Sequence, residues 1–426
     1  MLISRICRSL FLAALPCFGL LAGAQTPAPA PPSAIVAANN AFGFHLYAAL
    51  AKANAAVLNA PRLQPTAAFM QAEANQNVFI SPLSIECCLA MVANGAQGNT
   101  YAQLAQALGW GDLPLAQVNA GFQALTNNLL TADPTVKLSL ADSLWLNNNS
   151  AFLPSFTHTN TQHFGAEMRT VDFTDPATVP AINDWVKTKT QGMIPTLLGN
   201  GDVDAKTLLV LLNALYFKGA WTTPFDAQLT SDQPFNLADG ITPAVKMMQR
   251  EGKFSYYENA DLQMVRLPYG NGHLSMLVIL PAAGKSLDAT AQTVFTETNW
   301  ARYTGKLQPR QGEIDLPRFA AHYAADLPAA LKALGISDAF TTQANFAGIS
   351  TKPSYISKVK HKTALEVNEE GTKAAAVTGV VMPAHHAIQR DPQLPFEMNV
   401  NHPFLLALQN DDGALLFLGE IQKPEE

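Results

Sequence analysis

The stretch within Val203–Tyr216 that reads TLLVLLNALYF, running on to Phe217, carries no charge on either of its alternate faces. Such a run suits a β-strand buried on both sides, so the fold must hold a sheet with cover on each face. Ala244–Arg250, Gln263–Pro268 and Leu274–Pro281 are further strand expectations with turns between them. Asn399–Leu408 and Ala414–Ile421 read as two strands joined by Asp411-Asp412-Gly413. Helical spacing marks Ile35–Leu50 and the segment SIECCLAMVANGA, and Leu327–Leu334 ends at the glycine stop Gly335. Without repeats or an internal linker, the chain reads as one mixed α+β domain over residues 35–424.

Composition narrows what that domain does. Of 426 residues, 48% are hydrophobic and 14% charged, against roughly 25% charged in an average soluble domain. A large core follows, and whole-chain disorder and a coiled coil are excluded. The net charge of −6 argues against binding nucleic acid or heparin. No interior run approaches the ~20 apolar residues of a spanning helix, so a polytopic membrane protein is not expected.

At the amino terminus Arg5 and Arg8 precede the apolar run Leu10–Ala24, which ends in Ala22-Gly23-Ala24. A basic start, a short apolar stretch and small residues before a cut make residues 1–24 a signal peptide. The run is too short to anchor, so no membrane association is expected after cleavage. Residues 25–34 form an Ala/Pro-rich tail. Cys7 and Cys17 leave with the signal, and Cys87 and Cys88 are adjacent in a helical pattern. Neighbouring Cα atoms lie ~3.8 Å apart, short of the spacing of a disulfide. They are expected as two small core residues in a protein that leaves the cytoplasm, extracellular or periplasmic, without structural disulfides.

Enzyme motifs are missing. G-x-S-x-G, H-E-x-x-H and G-x-G-x-x-G do not occur. Gly284-Lys285-Ser286 resembles the end of a phosphate loop, but Ile279 stands where its first glycine belongs, and a turn is the expectation. His385-His386 suggests a metal only superficially, because adjacent side chains in an extended segment point apart. No metal, cofactor or catalytic residue is expected.

Glu369–Gln389, EEGTKAAAVTGVVMPAHHAIQ, is the informative segment. In strand geometry Thr372, Ala374, Ala376, Thr378, Val380 and Met382 share one face, all small or apolar, while Lys373 falls on the other. By composition alone, a flexible Ala-rich loop is the favoured reading.

Several segments in order resemble the serpins, the serine protease inhibitor superfamily: NVFISPLSI from Asn77, TLLVLLNALYFKGAW from Thr207, AVKMM from Ala244, LPRF from Leu316, HKTALEVNEEGTKAAAVT from His361, HPF from His402 and LFLG from Leu416. The resemblance covers residues 35–424. It implies three β-sheets, about nine helices and an exposed reactive-centre loop, here residues 369–396. It also implies a monomeric suicide inhibitor of serine endopeptidases, with papain-like cysteine endopeptidases as a second target class. The protease cleaves the loop, and the cut loop enters the main sheet as a new strand. Roughly a dozen newly paired residues at about 0.5–1.5 kcal/mol per hydrogen bond, plus burial, give on the order of ten kcal/mol. That is comparable to a domain's whole stability, so the uncut state is kinetically trapped.

The resemblance assigns the loop hinge to Glu369, Glu370, Gly371, Thr372, Lys373, Ala374, Ala375 and Ala376. Charge or proline on the inserting face would block the process, and neither occurs there before Met382. This favours an inhibitor over the alternative, a non-inhibitory serpin that binds partners and is cleaved only as a substrate. Lys373 stands where serpins often carry Glu, and Val377 replaces a commoner Ala. Both fall on the outward face. Counting fourteen residues from Gly371 puts the reactive bond at His385–His386, with Met382 and Ala384 as alternative reactive-site positions. The run Val-Val-Met-Pro-Ala before it suits an elastase-like or papain-like enzyme.

By the same resemblance, Ser81, Ser84, Asn213 and His361 form the shutter, the polar cluster beneath the sheet where strands part. Trp221 and Arg318 belong to the breach, where the loop first enters, and Arg318 is expected to contact Glu369. Glu86–Val136 covers the heparin-binding helix of some serpins and contains no Lys or Arg, so no heparin activation is expected. Ala51–Gln76 is expected as an exposed loop with no family counterpart.

Overall fold

The computed structural model describes residues 32–58, 77–199, 201–372 and 394–425. Its strands are β1 (Phe79–Ile80), β2 (Lys137–Asn147), β3 (Glu167–Val171), β4 (Leu209–Ala220), β5 (Ser231–Pro234), β6 (Ala244–Glu258), β7 (Leu262–Tyr269), β8 (Leu274–Pro281), β9 (Gln308–Pro317), β10 (Phe319–Asp326), β11 (Ile356–Asn368), β12 (Gly371–Thr372), β13 (Phe396–Asn399), β14 (Phe404–Asn410) and β15 (Leu415–Ile421). Nine α-helices are described: α1 (Pro32–Leu58), α2 (Pro82–Ala93), α3 (Gly98–Ala107), α4 (Leu115–Thr131), α5 (Pro154–Phe164), α6 (Thr178–Lys189), α7 (Leu287–Val294), α8 (Glu297–Thr304) and α9 (Pro328–Ala333).

The apolar run around Asn213 is β4, near the middle of a six-stranded sheet ordered β10-β11-β12-β4-β2-β3. Leu209, Leu211, Leu215 and Phe217 face the main core, and Val210, Leu212 and Ala214 face Ile182, Trp185 and Val186 of α6. Two apolar layers explain the uninterrupted run. It starts later than expected, because Asp204 and Thr207 close a turn through Asp204 N–H to Thr207 Oγ1 (2.9 Å).

The second sheet runs β1-β15-β14-β8-β7-β6-β9-β13, with β5 on β6. Among the described residues there are thus two hydrogen-bonded sheets where three were expected. The reason is β6: it pairs with β5 through Ala244–Met247 and with β7 through Ser255–Glu258, joining two ladders into one. The expected strand Ala244–Arg250 is therefore half its true length. Asn399–Leu408 divides into β13, parallel to β9, and β14 after Pro403.

The long helix α1 begins at Pro32, inside the expected tail, and continues through Ala51 to Leu58, where a loop was expected. Pro is favoured in a first helical turn, and alanine is the strongest helix former. Ala34–Val57 has the length and mean hydropathy (1.3) of a spanning helix, contrary to the sequence expectation. Ile35, Phe42, Leu46 and Tyr47 are nevertheless buried in the main core, which makes this a core helix. Every residue of α2 is buried, Cys87 and Cys88 included, and both thiols are free.

Candidate functional site

Where β11 ends, Asn368 Oδ1 accepts the backbone N–H groups of Glu370 and Gly371, each at 3.1 Å, and turns the chain back. Gly371 and Thr372 then form β12, wedged between two neighbours. They pair with Asn368 and Val367 of β11 and with Ala220 and Gly219 of β4. Gly371 has φ 142°, and a Cβ there would lie 2.2 Å from the Gly219 carbonyl oxygen. Glycine is required both by conformation and by contact.

Aromatic and charged side chains hold this wedge. Trp221 donates its backbone N–H to the Glu370 carbonyl and its Nε1–H to the Asn368 carbonyl, both at 2.9 Å. Its ring stacks on Tyr269 at 4.3 Å. Thr372 is 1% exposed, with its hydroxyl 2.8 Å from that of Tyr269. Arg318 Nε lies 2.8 Å from both oxygens of Glu369, and Nη2 lies 2.7 Å from Oε1. Thr230 Oγ1 donates to Glu369 Oε1 at 2.5 Å. Burial alone would raise the Glu369 carboxyl, but these hydrogen bonds outweigh it and hold it below the usual range.

Below the wedge, β4 and β11 pair directly in parallel, Ile356–Ala364 against Leu209–Tyr216. Beneath this seam Ser81 caps α2, and its N–H donates to His361 Nε2 at 3.1 Å. His361 Nδ1 then donates to Asn213 Oδ1 at 2.6 Å. The accepting Nε2 fixes the neutral tautomer, and burial lowers the imidazole pKa to about 3. Asn213 Nδ2 donates to Ser84 Oγ and, at 2.6 Å, to Asp142 Oδ1. Thr363 Oγ1 donates to the Phe79 carbonyl at 2.6 Å. The four residues expected to cluster do so.

The far end of the loop is anchored separately. β13 lies parallel to β9, Phe396 stacks on Tyr256 at 3.7 Å, and Arg310 Nη2 donates to the Leu394 carbonyl at 3.0 Å. Between these anchors, Lys373, Ala374, Ala375, Ala376, Met382, Ala384 and the His385–His386 bond lie outside the described residues, as do residues 1–31. Sequence reasoning missed Asp142, Thr230, Tyr269 and Asn368. Each contributes one polar group across a register or loop contact that no local pattern announces. No group of three or more His, Cys, Asp or Glu among the described residues is placed to hold a metal ion.

Among known families, Serpin (serine protease inhibitor) matches residues 63–424. The chain belongs to the serpins. Leukocyte elastase inhibitor of Bos taurus is 36% identical over 360 residues, covering 82% of this chain and 93% of that protein. Serpin B8 of Bos taurus is 36% identical over 358 residues, with the same coverage. Among solved structures, the thermophilic serpin tengpin in its native state superposes with a TM-score of 0.77 at 27% identity, covering 91% of this chain and 94% of that one. Serpins are protease inhibitors rather than catalysts.

Proposed function

We propose that this serpin is an irreversible suicide-substrate inhibitor of serine endopeptidases, acting by cleavage of the loop 369–396 and its insertion between β4 and β11. The observation that carries the reading is β12: two hinge residues already sit between those strands in a register that can simply continue. Extending the pairing of Gly371 and Thr372 brings Thr378 opposite Asn213 on one side and His361 on the other. Met382 would then reach Leu209, the first residue of β4. A loop cut at His385–His386 is thus long enough to fill the whole seam, and one cut much before Met382 is not.

Thr372, Ala374, Ala376, Thr378, Val380 and Met382 would face the core side of the sheet, the side of Asn213. None demands a buried charge. Relatives named leukocyte elastase inhibitor support an elastase-like target, which also suits Val-Val-Met-Pro-Ala. A papain-like cysteine endopeptidase is the second class to try. The basic, then apolar, amino terminus supports export from the cytoplasm, to the periplasm or beyond the cell, and the protein is read as a monomer.

The test is incubation with a panel of elastase-like and papain-like enzymes, followed by denaturing gels and mass analysis of the released carboxy-terminal peptide. The expected result is a detergent-stable complex with a serine enzyme, or lasting inhibition with loop cleavage for a cysteine enzyme, and a new amino terminus at His386. Loop cleavage that leaves every protease fully active would make the protein a substrate and overturn the reading.

A further inference from the structure

The hydrogen-bonded chain under the seam runs one way and ends on a carboxylate. Ser81 N–H points to His361, His361 Nδ1–H to Asn213, and the Asn213 amide to Asp142 Oδ1 at 2.6 Å. Ser84 Oγ also donates to that oxygen at 3.4 Å. The chain crosses the seam once, between Asn213 and His361, which are register partners on β4 and β11. A new strand cannot enter until that bond breaks. Asp142 lies opposite Asn213 on β2 and moves with the β4 side.

Among the described residues no cation answers Asp142. From α2 the ionisable groups beside it are the Cys87 and Cys88 thiols, and from across the seam neutral His361. Helix α4 carries no ionisable residue. The charges of α6 (Asp184, Lys187, Lys189) and β3 (Glu167, Arg169) belong to the opposite face of the sheet, where Glu167 holds Trp185 and Arg169 lies over Trp145. One amide and one hydroxyl therefore stabilise the anion. Burial outweighs them and pushes the carboxyl up to about 7.

We propose that Asp142 is a positioning residue for loop insertion: acting through Asn213, its ionisation sets how readily the β4–β11 seam parts. This rests on the inhibitory reading above. In the closed sheet the carboxyl keeps its proton to near pH 7. Once the seam parts, water reaches the cluster and the group returns toward the ordinary carboxylate value of about 3.9. Opening then releases a proton, so rising pH favours it across that interval and has no further effect above it. The limit is about tenfold per pH unit. Asp142 retains some exposure, so a smaller slope is expected.

The test measures annealing of a synthetic peptide with the sequence of residues 372–385 to the full, uncleaved protein between pH 5 and pH 8, read on native gels. His361 is released in the same step and returns from about 3 toward its ordinary value of about 6.5, taking up a proton and opposing Asp142. Wild-type annealing should therefore be about threefold slower at pH 5 than at pH 8, and Asp142→Asn should lose that rise and anneal faster at pH 5 than at pH 8. If the Asn variant does not fold, Asp142→Ser, which keeps a hydroxyl and cannot ionise, carries the same expectation. A flat or opposite wild-type profile overturns the proposal, as does an unchanged slope in the variant. Protease complex formation at pH 8 reports separately on the inhibitory reading. A complex with flat annealing overturns only the role of Asp142, and pH-dependent annealing without any complex overturns only inhibition. No annealing at any pH overturns the role of Asp142, and the absence of any complex as well overturns both.

Discussion

The hydroxyls of Thr372 and Tyr269 meet 2.8 Å apart beneath the hinge strand, and both residues are almost wholly buried. Tyr269 is itself wedged between Trp221 (4.3 Å) and Phe217 (4.9 Å). The buried hinge residue Thr372 therefore has one polar partner, a tyrosine itself held between two aromatic rings. Thr372→Arg would bring an unpaired guanidinium there, which burial does not tolerate. The expected outcome is normal cleavage of the loop with no stable complex, measured as an inhibition stoichiometry rising at least tenfold. Retained inhibition would mean that Thr372 is not buried during insertion.

The ion pair of Arg318 with Glu369 makes a pH prediction. The Glu369 carboxyl is held below its ordinary value, so its contribution is present above about pH 4.3, the unfolded value, and is lost as pH falls through the lower folded one. Glu369→Gln should cost roughly 1–2 kcal/mol at pH 7, a figure discounted because Arg318 is partly exposed. At pH 3 the difference should shrink markedly. Urea unfolding of both proteins at the two pH values decides it.

Gly371→Ala tests the wedge. The substitution asks a Cβ to adopt φ 142° and to approach the Gly219 carbonyl within 2.2 Å. Backbone strain of this kind costs about 1–3 kcal/mol before any clash is counted. The hinge should leave the sheet, with faster amide hydrogen exchange at positions 371 and 372 and unchanged exchange along β2. Equal protection in both proteins would show that the wedge is not held by glycine.

What was legible in the sequence was local. Leu274–Pro281 matches β8 because turn residues bound it on both sides, and the hairpin of β14 and β15 turns at Asp411-Asp412-Gly413 as its residues require. The helix over Ala51–Leu58 is not legible because its alanines merge with the proline-bearing stretch beyond it, although no proline occurs between Ala51 and Ala60. The full reach of β6 was hidden by Arg250, Glu251 and Lys253, whose charges break the apolar pattern while the ladder to β9 continues. Ser81, Ser84, Asn213 and His361 were found by family resemblance, not by their own spacing. Asp142 carried no signal, because its meaning depends on lying opposite Asn213, seventy-one residues away.

A second buried acid makes the opposite pH prediction to Glu369. Glu86 is fully buried in α2, where Oε1 accepts Trp110 Nε1–H at 2.9 Å and Oε2 has no partner among the described residues. Burial raises this carboxyl well above its ordinary value, and the tryptophan bond only partly offsets it. A raised folded pKa gives a contribution that is full below the unfolded value, about 4.3, and is lost as pH rises toward the folded one. Glu86→Gln keeps the acceptor for Trp110 and replaces the acidic O–H with an amide that cannot ionise. The variant should match wild type near pH 4 and exceed it at pH 8, with the gap growing by at most about 1.4 kcal/mol per pH unit. Asp142 and Glu420, both pushed up to about 7 by burial, tilt both proteins alike and cancel in the comparison. Urea unfolding from pH 4 to pH 8 measures the gap, and parallel curves would show that Glu86 carries no charge penalty in the fold.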